Sequence, residues 1–63
     1  MKESILSGKI ILAVDDEPDV LEVLREEILA ACPTCRVDKA TTFEQASQML
    51  TSYTYDLIIL DHT

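Results

Sequence analysis

Asp15, Asp16 and Glu17 stand side by side in "ILAVDDEPDV", residues 11–20, directly after an apolar run and directly before a proline. A fourth carboxylate, Asp61, closes a second apolar run in "YDLIILD", residues 55–61. Acids crowded at the ends of buried segments do one of two things. They decorate a helix N-terminus, where the backbone dipole welcomes negative charge, or they converge on a divalent cation and the anionic group that cation neutralises.

Which of the two applies depends on the elements that carry them. "GKIILAV", residues 8–14, has no polar face, as expected of a strand covered on both sides. Pro18 suits the first helical position, with Asp16 or Glu17 near the cap and Asp19 and Glu22 in the first turn. Leu21, Leu24, Ile28 and Ala31 recur at helical spacing, while Glu22, Arg25, Glu26 and Glu27 fall largely on the other side. The pattern predicts a helix over about 18–31, stopped at "CPTC" by Pro33. "CRVDKA", residues 35–40, fits a second strand near a sheet edge. "TTFEQASQML" offers two overlapping caps, Thr41 with Glu44 and Thr42 with Gln45, and puts Phe43, Ala46, Met49 and Leu50 on one face of a second helix. "YDLIILD" is a third strand.

The order is therefore β-α-β-α-β, an α/β chain whose strands run parallel through crossover helices. Such sheets bind ligands at the carboxyl ends of their strands, which is where Asp15, Asp16 and Asp61 lie. On neighbouring strands their backbones would be about 4.8 Å apart. Like charges at that range repel by about 1 kcal/mol in water and more in a protein. Mg²⁺ relieves this, since it accepts one or two carboxylates and keeps room for water and phosphate. An aspartate beside such an ion is a good phosphoryl acceptor.

"VDDEPDVLEVL", followed about forty residues later by "YDLIILD", resembles the N-terminal half of a receiver domain from a two-component response regulator. The resemblance runs from about Lys9 to Thr63. It implies a flavodoxin-like fold with strand order 2-1-3-4-5, of which this chain would hold 2-1-3. It also implies that Asp61 is the phosphoacceptor for a partner histidine kinase, that Asp16 ligates Mg²⁺ directly and Asp15 through water, and that Thr63 adds its backbone carbonyl. A complete receiver is about twice as long, so residues 1–63 are expected to form a truncated receiver domain. The family's lysine and hydroxyl residue, which bind the phosphoryl oxygens, have no counterpart, because Lys2, Lys9 and Lys39 sit elsewhere. Metal binding and acceptance are expected without the family's switching. A different expectation concerns the third strand: Leu57, Ile58, Ile59 and Leu60 at a sheet edge invite pairing with a second copy, which would make the chain a non-catalytic assembly fragment and a homo-oligomer.

Composition excludes several classes. A chain of 63 residues makes one domain, burying about 60% of its unfolded surface. Five basic against twelve acidic residues, a net charge of −7, disfavours nucleic acid and anionic lipid. No apolar run has the length of a membrane span, and "MKESILSGK" lacks the apolar stretch of a signal peptide, so the expected compartment is the cytoplasm. No nucleophile-base pair or glycine-rich phosphate loop points to a substrate-processing enzyme. Phe43, Met49, Tyr53 and Tyr55 lack interleaved basic residues and belong to core and rim. His62 is expected to be loop. Cys32 and Cys35 have the spacing of a redox pair or half a zinc site, but they follow a helix rather than precede one, and reduced thiols are the expectation. Two associated chains could assemble a Cys₄ site.

Overall fold

A computed structural model describes residues 8–60. Strand β1 (Ile10–Val14), helix α1 (Pro18–Ala31), strand β2 (Arg36–Ala40), helix α2 (Phe43–Ser52) and strand β3 (Leu57–Leu60) follow one another in the chain. The three strands form one parallel sheet in the order β2-β1-β3. Ile10 pairs with Arg36 and Val14 with Ala40 on one side of β1, while Ile11 pairs with Leu57 and Val14 with Leu60 on the other.

The unbroken apolar run of β1 is explained by this central place. Ile11, Leu12, Ala13 and Val14 are only 0 to 4% exposed, and alternate side chains serve opposite faces. Leu12 and Val14 pack with Ala40, Ala46, Met49 and Tyr55 on the α2 side. Ile11 packs with Cys32, Cys35, Ile28 and Ile59 on the α1 side. Each large side chain so buried contributes about 1.5–3 kcal/mol.

Helix α1 starts at Pro18, whose missing N–H costs nothing in the first turn. The N-cap is Glu17, but its side chain makes no cap bond; Asp15, two residues earlier, accepts the Glu17 N–H instead. Leu21 is buried and Leu24 and Ile28 partly so, whereas Ala31, at the end of the expected apolar stripe, is exposed because α1 runs past the sheet there. Of the two overlapping caps on α2, Thr42 with Gln45 forms: Thr42 Oγ1 accepts the Gln45 N–H at 3.0 Å. Gln45 Oε1 reaches back to the Thr41 N–H at 2.9 Å and to the Thr41 hydroxyl at 3.0 Å.

The face expected of α2 divides. Ala46 is buried and Met49 packs on the core, but Phe43 is 68% exposed and Leu50 is also exposed. Phe43 is the first residue of α2 and lines the cavity at the strand ends with Val14 and Leu60. Both edge strands carry their own arrangements. On β2, Asp38 receives the Arg36 guanidinium and the Tyr55 hydroxyl, and Lys39 pairs with Glu22 of α1. On β3, Leu57, Ile58 and Leu60 remain exposed.

Candidate acidic site at the strand ends

The carboxyl end of β1 turns sharply from a buried strand to the exposed start of α1, and Asp15 is the residue at the turn. Its N–H extends the ladder to the Ala40 carbonyl at 3.1 Å, so its backbone is still held by β2. Its side chain points inward and is 2% exposed. Oδ1 accepts the Glu17 N–H at 2.7 Å, satisfying one of the amides that a helix start leaves over. Oδ2 is buried and has no hydrogen-bond partner among the described residues.

Among the described residues that second oxygen is the buried side-chain polar atom that stands without a partner. A buried acceptor left unsatisfied costs about 1–3 kcal/mol, and more when charged. Capping α1 needs only Oδ1, so capping does not account for the burial of Oδ2. A cation would satisfy it.

Asp15 and Asp16 both line a cavity of about 270 Å³ at the carboxyl ends of the strands. Val14 and the two aspartates form the β1 wall, Thr41, Thr42 and Phe43 form the wall after β2, and Leu60 forms the wall from β3. Asp16, in contrast to Asp15, is exposed at the cavity mouth. The Asp15 side chain is held in by its bond to the Glu17 N–H, whereas Asp16 sits in the bend that follows β1. Glu17 is exposed and serves α1 through its backbone, its carbonyl accepting from Val20 and Leu21 at 3.1 and 3.3 Å.

The first turn of α2 forms the opposite wall, so the partial positive charge of that helix start lies across the cavity from the carboxylates. The cavity therefore has carboxylates on one side and the start of a helix on the other. Thr41, Thr42 and Phe43 were not among the expected site residues. The signal for them was nonetheless there, because the residues that follow β2 leave the sheet at the same carboxyl end as those that follow β1.

Asp61 and Thr63, the other two expected site residues, lie outside the described residues, as does His62. Among the described residues no group of three metal-ligating side chains converges. Cys32 and Cys35 flank the start of β2, at the opposite end of the sheet from the cavity. No helix among the described residues is long and apolar enough to cross a membrane. Comparison of the chain with protein-family models, curated proteins and solved structures gives no significant match.

Proposed function

We propose that the chain is a phosphoacceptor receiver module of two-component signalling, in which Asp61 takes a phosphoryl group from the phosphohistidine of a partner kinase in the cytoplasm. The observation that carries this reading is the buried Asp15 Oδ2, unsatisfied at a cavity that Leu60, the residue before Asp61, helps to wall. Leu60 is the register partner of Val14, the residue before Asp15.

The donor set suits Mg²⁺. Asp15 and Asp16 supply hard carboxylate oxygens from one wall, within the one or two carboxylates that Mg²⁺ takes. Asp61 and the Thr63 carbonyl complete the proposed ligands. Bound there, the ion would offset negative charge on the incoming phosphoryl group. The work of the chain itself is simpler. A carboxylate oxygen of Asp61 forms the new bond to phosphorus as the bond to the kinase imidazole breaks, and the start of α2 provides a favourable surface for the phosphoryl oxygens. The phosphoryl group is received by the protein itself, so no small substrate is turned over. Lys39, one of three lysines in the chain, is engaged by Glu22 on the α1 face.

The test is the intact mass after incubation with Mg²⁺ and acetyl phosphate. The expected result is the addition of one phosphoryl group, removed by base and absent from Asp61→Asn. A folded chain that gains nothing would overturn the reading.

The exposed apolar residues of edge strand β3 favour a second reading, in which the chain is an interaction fragment that pairs with its own copy. Sedimentation would then show association that strengthens with concentration, does not need Mg²⁺ and is lost in Ile58→Lys. A monomer at every concentration would dispose of it.

A further inference from the structure

The turn between α1 and β2 holds two sulfurs against each other. The Cys32 N–H closes α1 on the Ile28 carbonyl at 2.8 Å, and the Cys35 N–H then closes a four-residue turn on the Cys32 carbonyl at 3.1 Å. Pro33 occupies the second position of that turn, where its fixed φ is favoured. As a result the Sγ atoms of Cys35 and Cys32 are in direct contact. Both residues are thiols, 2 and 7% exposed, and share one apolar cluster with Ile11, Ile28 and Ile59.

Packing alone would not need the polar arrangement around Cys32. Thr34 Oγ1 accepts the Gly8 N–H at 3.1 Å and lies within hydrogen-bond reach of Cys32 Sγ, 3.5 Å away. Hydrogen bonding with Cys35 and then with Thr34 holds the Cys32 pKa below that of an ordinary thiol. Burial, and then the contact with Cys32, push Cys35 the other way. The two sulfurs are thus shifted in opposite directions.

We propose that Cys32 and Cys35 are a redox-active dithiol that reduces a small disulfide of the glutathione class and closes to an intramolecular bridge. The Cys32 thiolate attacks one sulfur of the small disulfide, forming a mixed disulfide and expelling one thiolate. Cys35 passes its proton to that leaving thiolate and attacks Cys32 Sγ, expelling the second thiolate, which takes the proton originally lost from Cys32. Two protein thiols are oxidised and one small disulfide becomes two thiols. The turn holds the second step in its reacting geometry before the first begins.

The experiment equilibrates the folded chain with glutathione redox buffers and reads intact and peptide masses. Expected is a loss of two hydrogens mapping to residues 32–35, with an equilibrium constant for bridging at least tenfold larger than for the same chain unfolded in urea. Cys35→Ser should stall as a glutathione adduct on Cys32, and Cys32→Ser should react at least tenfold more slowly. Equal bridging in folded and unfolded chain, equal reactivity of the two variants, or accumulation of adduct without bridge in the wild type would each overturn the proposal. Comparison of the wild type with its own unfolded form keeps the test decisive should a serine variant fail to fold, and no outcome bears on the acidic site.

Discussion

Asp56 holds Ile10 by both of its backbone groups: the Asp56 N–H donates to the Ile10 carbonyl at 2.8 Å, and Asp56 Oδ2 accepts the Ile10 N–H at 2.8 Å. These bonds start the β1–β3 pairing and set its register. A slip of one residue would send every β3 side chain to the other face and would move Leu60 away from the wall it shares with Asp15.

Asp56→Ala removes the side-chain bond and leaves the Ile10 N–H to water, since this site is exposed. The expected loss is about 1 kcal/mol, read as a lower urea midpoint. Asp56→Asn keeps an acceptor and should lose less.

Asp15→Asn separates the structural oxygen from the orphaned one. The amide oxygen can still accept the Glu17 N–H, and the buried negative charge is gone, so stability without metal should hold or rise. Wild-type protein should gain about 2.7 kcal/mol when Mg²⁺ is at a hundred times its Kd, and the variant should gain far less. Thermal melts across a Mg²⁺ series check this, and equal gains in both proteins would remove Asp15 from the metal site.

Tyr55 and Asp38 form a pair whose pH limits follow from their shifts. Burial and the bond to Asp38 push the Tyr55 hydroxyl up to about 12, so its contribution is complete below the unfolded value near 10 and is lost as pH rises through about 12. For Asp38, burial acts to raise the carboxyl, but the bonds from Tyr55 and Arg36 together lower it. Its contribution is therefore present above the ordinary carboxylate range and is lost on acidification through its lowered value. Ultraviolet titration of a Tyr53→Phe variant should show tyrosine ionising near 12. Tyr55→Phe should cost about 1 kcal/mol at neutral pH, at the low end for a charged acceptor because the pair is half-buried, and less above pH 12.

Leu12→Ala hollows the central strand on the α2 side. The expected cost is about 2–5 kcal/mol, against about 3–9 kcal/mol of total stability for a chain this size. Circular dichroism should find the variant largely unfolded or melting far below the wild type.

The alternation of strands and helices was legible because β1 is apolar without a break and because Pro18 and Pro33 bracket α1, which runs over Pro18–Ala31 as expected. That Asp15 and Asp16 stand at the carboxyl end of the sheet was legible for the same reason. What composition could not decide was direction. Asp15 and Asp16 are chemically the same, yet one is buried in an Asx-type turn and the other is exposed in the bend that follows β1. Phe43 has the hydrophobicity of a core residue, but at the first position of α2 it stays largely exposed at the cavity wall. Reduced thiols are the expectation for Cys32 and Cys35 from their place after α1, but helix order says nothing of a turn that puts position 32 beside position 35.

The central place of β1 has a kinetic consequence. This strand is synthesised before both of its neighbours, and the β3 bond to it spans 46 residues. Lengthening such a loop adds little to its thermodynamic cost, about 0.6 kcal/mol per doubling, but non-local pairing slows the search for the native state. The β1–β2 half can close across α1 while the other rank of β1 amides and carbonyls still waits for β3. The pairing of β3 with β1 is thus the closure of longest sequence separation among the described side-chain hydrogen bonds, and it is where non-local topology weighs most on the folding search.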